Sequence, residues 1–203
     1  MSLLLGSPLA RAAPGDSYAA MLAYLTASQI SGSALNGSAG AIALNLAAGD
    51  QNQQANLRAL AVGNQASVQI HATQQQRGNQ ANLPGIAIAG IGGRALGNAA
   101  GLISINQASG TANAQLNTAG ITLAQQGMRA TPADQWLAGV CACAQEATPA
   151  GPDPQGSGTR LYSATVAAGA MHGMQGVVQL NQIAGSNNVT ANQLSIEAGP
   201  TPR

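Results

Sequence analysis

One stretch of this chain occurs three times, and that recurrence constrains the fold more than any other feature. Residues 34–63 read ALNGSAGAIALNLAAGDQNQQANLRALAVG, residues 95–124 read ALGNAAGLISINQASGTANAQLNTAGITLA, and residues 170–199 read AMHGMQGVVQLNQIAGSNNVTANQLSIEAG. No gap is needed inside any copy. Self-similarity is settled before any other fold assignment, because overlooking it misassigns the whole architecture. A glycine opens each copy: Gly40, Gly101 and Gly176. Two aliphatics follow at alternate positions: Ile42 and Leu44, Ile103 and Ile105, Val178 and Leu180. Asn45, Asn106 and Asn181 come next. A small residue and then Gly49, Gly110 or Gly185 make a corner. A polar run follows: Asn52, Gln54 and Asn56; Asn113, Gln115 and Asn117; Asn188, Thr190 and Asn192. Each copy closes on Leu60, Ile121 or Ile196.

Helix is the competing assignment, since Ala, Leu and Gln are good helix formers. Three facts oppose it. The aliphatics alternate at period 2 rather than 3.6. A glycine recurs mid-copy, and an interior glycine costs a helix about 0.5–1 kcal/mol. Asn and Gly are poor helix-interior residues. Each copy therefore reads as strand–corner–strand. Asn52, Gln54 and Asn56 then point to the same, inward side as Leu60 and Val62. A buried amide is costly unless hydrogen-bonded. Stacking the copies removes that cost, because each side-chain amide bonds the one above and the one below. The expected fold class is all-β: a β-solenoid or cross-β stack of three strand–corner–strand layers with irregular connectors. Layers about 4.8 Å apart would carry amide ladders and aliphatic rows in register.

Composition narrows the function. Phe is absent among 203 residues, with one Trp and three Tyr. An aromatic-rich globular core, the usual source of large buried area, is excluded. Seven basic and six acidic side chains are too few for the highly charged type of disordered chain. Low charge with abundant Asn and Gln disposes a chain to cross-β packing. It also gives weak protection against self-association. A net charge of +1 offers no case for nucleic acid or an anionic membrane.

In chain order, residues 1–12 (MSLLLGSPLARA) resemble the end of a secretion signal. The A-x-A rule places cleavage before Ala13. The basic leading region is missing and the apolar run is short, so the expectation is a truncated signal. No run is apolar for long enough to span a membrane. Residues 13–33 form an N-terminal segment, where Asp16 or Ser17 would cap a short helix with Tyr18, Leu22 and Leu25 on one side. Linker 1 is residues 64–94. Its ASVQIHAT stretch, residues 66–73, alternates and reads as a strand with Val68 and Ile70 on one side and His71 on the other. Residues 74–82 read as a polar loop and residues 85–93 (GIAIAGIGG) as a flexible apolar lead-in. Linker 2 is residues 125–169. It holds a short helix start at residues 131–138, with Pro132 first and Trp136 anchoring, and a Pro/Gly-rich linker at residues 148–158. Alternation resumes at residues 161–167. Residues 200–203 are a tail.

Cys141 and Cys143 sit between the second and third copies. Alternate residues of a strand lie about 7 Å apart, too far for an unstrained disulfide. A strained exchangeable pair, a cross-link between molecules and two reduced thiols all compete. Metal binding is a fourth reading, but a lone C-x-C is weak evidence for it. No G-x-S-x-G, H-E-x-x-H or phosphate loop occurs. The six acidic residues are scattered and do not recur among the copies. Only Asn, Gln, Gly and aliphatics recur, so the reading is a structural protein with no catalytic residue, no metal and no cofactor.

Three imperfect copies centred on A-G-x-x-N-x-Q-x-N, joined by two unlike connectors, resemble the Fap family of secreted bacterial functional amyloids. The resemblance implies export across both membranes of a Gram-negative cell. It implies extracellular, cell-surface fibrils that reinforce biofilm, with the repeats as fibril core. The core role would fall on Asn45, Asn52, Gln54 and Asn56, on Asn106, Asn113, Gln115 and Asn117, and on Asn181, Asn188, Thr190 and Asn192. The implied partners are further copies of this chain, a related fibril subunit, a secretion pore and a chaperone. Fibril subunits of the family carry C-x-x-C near the C-terminus, whereas this chain carries C-x-C before its third copy. The alternative is a monomeric β-solenoid adhesin or binding module, which needs polar caps at both ends.

Overall fold

The computed structural model describes residues 25–76, 84–125, 140–144 and 160–199, with only the backbone of 140–144. The described residues are all-β, and every strand pairing is parallel. The strands are β1 (Leu25–Ile30), β2 (Ala39–Ala48), β3 (Gln53–Gly63), β4 (Ala72–Gln76), β5 (Ile86–Ile91), β6 (Ala100–Ser109), β7 (Ala114–Ala124), β8 (Val140–Ala144), β9 (Leu161–Val166), β10 (Gln175–Ala184) and β11 (Val189–Ala198). They form four sheets: β1-β5-β9 (sheet I), β10-β6-β2 (sheet II), β11-β7-β3 (sheet III) and β4-β8 (sheet IV). Each copy gives one strand to sheet II and one to sheet III, and the second copy lies between the first and third. Parallel strands need a long crossover. Here the crossover is a whole repeat, so partners lie 61 residues apart between copies 1 and 2 and 75 apart between copies 2 and 3.

Equivalent residues are the paired residues. Asn45 pairs with Asn106, and Asn106 with Asn181. Asn56 pairs with Asn117, and Asn117 with Asn192. A one-residue slip would turn each face over. It would set the aliphatics of one copy against the amides of the next. The corners pair as the strands do: Gly110 N–H donates to the Ala48 carbonyl at 2.9 Å and Gly185 N–H to the Ser109 carbonyl at 2.8 Å.

The two faces of sheet II differ because its strands alternate. Ile42, Leu44 and Leu46 of β2 point toward sheet I, as do Ile103, Ile105, Val178 and Leu180. They pack there with Ile30, Ile91, Leu96 and Ala99. Ile103 and Ile105 are fully buried, each worth about 1.5–3 kcal/mol of apolar transfer. The other face of sheet II meets sheet III through amides. The far face of sheet III packs Leu116, Ala55, Leu57 and Ala59 against Ile70 and Ala72.

Several expectations need correction. Leu25, placed on a short helix, starts strand β1, which gains a full ladder from β5 in residue-for-residue register. Residues 1–24, which hold the expected signal and the start of that segment, lie outside the described residues. Residues 85–93 are not a flexible lead-in: Ile86–Ile91 is the central strand of sheet I, bonded on both sides. The strand expected over residues 66–73 begins only at Ala72 and continues through Gln74 and Gln75 to Gln76, where a loop was expected. Pairing with β8 decides those bounds. The predicted burial still holds upstream, where Ile70 is buried and His71 exposed. Leu60 and Val62, expected inward with the amides, are 67% and 64% exposed. The facing that sets Gln54 against Leu46, Asn56 against Leu44 and Arg58 against Ile42 puts Leu60 opposite Gly40, which has no side chain to cover it, and Val62 past the start of β2. The helix start at 131–138 and the linker at 148–158 fall outside the described residues.

Candidate functional site: the amide columns between the paired copies

Sheets II and III meet over Asn, Gln and Ser, with Ala108, Ala119 and Ile183 buried on the same faces. The corner brings them together. Gly49, Gly110 and Gly185 hold φ of 101°, 118° and 125°, a region that side-chain-bearing residues rarely adopt. A Cβ on Gly110 would also drive into the Gly185 carbonyl of the neighbouring copy. Glycine is thus required twice over, by the turn and by the approach of the next copy.

Three asparagine columns run through the copies. Asn106 Nδ2 donates to Asn45 Oδ1 at 3.0 Å, and Asn181 Nδ2 to Asn106 Oδ1 at 3.0 Å. Asn117 Nδ2 donates to Asn56 Oδ1 at 2.9 Å, and Asn192 Nδ2 to Asn117 Oδ1 at 3.0 Å. At the corner, Asn113 Nδ2 donates to Asn52 Oδ1 and Asn188 Nδ2 to Asn113 Oδ1, both at 3.0 Å. Ties within each copy join the first two columns: Asn56 to Asn45 at 2.7 Å, Asn117 to Asn106 at 2.9 Å and Asn192 to Asn181 at 2.9 Å. Asn106, Asn113, Gln115 and Asn117 are fully buried. An unpaired buried amide costs about 1–3 kcal/mol; each of these is paired on several sides.

The glutamine column is less regular. Gln54 Nε2 donates to Gln115 Oε1 at 2.5 Å, and Gln115 Nε2 to the Gln107 and Asn181 carbonyls at 3.0 and 3.1 Å. Thr190 occupies that column in copy 3, where its buried hydroxyl has no hydrogen-bond partner. Arg58 enters the same face, aligned with Ala119 and Leu194. It donates to the Ile42 carbonyl, while its buried Nε has no partner. Burial pulls its guanidinium below the usual arginine value.

Other polar residues belong to the stack and were not singled out from the sequence. Gln107 Nε2 reaches the Ser28 and Gly90 carbonyls of sheet I, both at 2.9 Å. Gln182 Nε2 donates to Gln107 Oε1 at 3.1 Å. Ser104 Oγ donates to Gln179 Oε1 at 3.0 Å. Their signal was available at copy level, since Gln107 and Gln182 each follow the repeated asparagine directly. The first copy hid it with Leu46 at that position. Cys141 and Cys143 lie on β8 with their backbone opposite Thr73 and Gln75. Among the described residues no cluster of three or more His, Cys, Asp or Glu could hold a metal ion, and no helix is long and apolar enough to cross a membrane.

The arrangement defines a repeat protein whose copies recognise one another through backbone ladders, glycine corners and side-chain amides. Residues 10–199 match the model of the functional amyloid protein FapB/FapC family, and the chain belongs to that family. No solved structure matches the chain.

Proposed function

We propose that this chain is a secreted structural protein that assembles into extracellular amyloid fibrils, a β-solenoid whose cross-β stack continues from molecule to molecule. The observation that carries the reading is the state of the two outer copies. Among the described residues, β2 and β3 of copy 1, and β10 and β11 of copy 3, are each paired on one side only. Open strand edges recruit another strand unless charge, proline or a bulge blocks them. No Lys occurs in the chain, and Asp50, Arg58 and Glu197 are the charged residues within the two outer copies. A second molecule therefore meets the kind of surface that copy 2 already meets on both sides. Asn45, Asn52, Gln54 and Asn56, with their counterparts in copies 2 and 3, serve in this reading as the ladder of the fibril core.

Family membership supports the setting: export from a Gram-negative cell, display at its surface, and reinforcement of biofilm and adhesion. A related subunit, a secretion pore and a chaperone are the partners this setting supplies. Cys141 and Cys143 would meet an oxidising exterior, which favours a disulfide within or between molecules.

The test is incubation of the purified chain, followed by thioflavin binding and fibre diffraction. Reflections near about 4.8 Å and about 10 Å are expected. Persistent monomer at high concentration without them would replace this reading by the monomeric adhesin, whose binding face would include exposed Leu60 and Val62.

A further inference from the structure

The asparagine columns have a direction. All eight of their amide-to-amide bonds between copies, six along the columns and two from one column to the other, run the same way, with Nδ2 of the later copy donating to Oδ1 of the earlier one. The backbone at the corner follows suit: Asn113 N–H donates to Asn52 Oδ1 at 3.0 Å and Asn188 N–H to Asn113 Oδ1 at 3.2 Å. A return bond runs the other way to the corner carbonyl, from Asn52 Nδ2 to Gly110 at 2.8 Å and from Asn113 Nδ2 to Gly185 at 2.8 Å. The Gln54–Gln115 bond is the exception in sense, and that column ends at Thr190.

The two outer copies are therefore chemically unlike. In copy 3, Oδ1 of Asn188 and of Asn192 accepts no bond among the described residues, and Asn188 Nδ2 makes its downward bond without the return bond. In copy 1, the one bond that Asn45 Nδ2 donates among the described residues is a 3.5 Å contact with the Gln54 carbonyl. Copy 3 ends the columns on acceptors; copy 1 ends them on donors. Clearance agrees: a Cβ on Gly101 or Gly176 would strike the preceding copy's glycine, whereas one on Gly40 meets nothing within 4 Å, although Gly40 keeps φ at 107°.

We infer that copy 3 of one molecule docks specifically on copy 1 of another, giving a fibril with one donor end and one acceptor end. This rests on the fibril reading above. At the junction, Asn52 of the arriving molecule donates through Nδ2 and its backbone N–H to Asn188 Oδ1. Asn188 Nδ2 returns a bond to the arriving Gly49 carbonyl. Asn45 and Asn56 of the newcomer meet Asn181 and Asn192 in the same parallel register that copies 1 and 2 share. Joining copy 1 to copy 1 would place donor against donor across a two-fold axis. It would also make the strands antiparallel and break all three columns.

Disulfide trapping tests this in the full chain with Cys141 and Cys143 replaced by Ser. Ala61 and Glu197 align with the same residue, Thr122, from opposite sides. They are thus two copies apart within a molecule and adjacent across the inferred junction. Two variants, Ala61→Cys and Glu197→Cys, are mixed, assembled and oxidised. Dimers containing one of each variant are expected, with dimers of a single variant at background. Fibrils that yield single-variant dimers, or no cross-links, overturn the directional junction and leave the fibril reading standing. Absence of fibrils from the parent chain removes the fibril reading itself, and this inference with it.

Discussion

At the residue scale, the same residue type carries different weight in different copies. Gly110 combines a φ of 118° with a Cβ direction aimed at the Gly185 carbonyl. Gly185 has a similar φ, 125°, but the nearest atoms to its Cβ position are Asn188 Nδ2 and the Tyr162 ring at 3.4 Å. Gly110→Ala should therefore destabilise the soluble molecule by the cost of the backbone region, about 1–3 kcal/mol, plus the collision. Gly185→Ala should show the backbone cost alone. Urea unfolding of the monomer measures both, and equal losses would remove the role assigned to the neighbouring copy. In the fibril reading the order reverses for growth: Gly185→Ala sits where the next molecule arrives and should slow elongation.

At the element scale, apolar packing lies on the outer sides of the amide interface. Ile91 is 1% exposed in the centre of sheet I, and Leu60 on β3 is 67% exposed. Both are aliphatic members of alternating runs, and sequence pattern does not separate them. Ile91→Ala should cost about 2–5 kcal/mol, and Leu60→Ser should stay within about 0.5 kcal/mol. Comparable shifts in the urea midpoint would mean that sheet I does not cover sheet II in solution. Sheet I is also where sequence reading fell short. LTASQI, IAIAGI and LYSATV share little composition, so their equivalence shows in spacing alone. They precede their copies by the same interval, and the parallel ladder reveals it.

At the scale of the whole molecule, stability is graded along the stack. Among the described residues, β6 and β7 are hydrogen-bonded on both sides, whereas β2, β3, β10 and β11 are bonded on one. Amides that open only with the whole unit exchange slowest. In the monomer, protection should be highest in copy 2. In fibrils, the strands of copies 1 and 3 should rise to match it. Hydrogen exchange resolved by residue reads this directly. Outer strands that stay unprotected in fibrils would mean that molecules meet elsewhere.

What the sequence determined by itself was the unit and its alternation. A gap-free recurrence of Gly, aliphatic, Asn, Gly and amide positions dictates one conformation repeated three times, because each position meets the same local demands. The strand pairs, the glycine corners and the family resemblance all followed from that. Only the tertiary structure decided which alternate residues are covered, and by what. Leu60 and Val62 carry an inward pattern yet face Gly40 and the chain ahead of β2, and stay exposed. Gln107 and Gln182 continue the aliphatic side of their strands, and only the packed structure shows the sheet I carbonyls that they bond. The physical reason is that alternation specifies which side of its own strand a residue takes, whereas burial depends on where the neighbouring strand begins and ends.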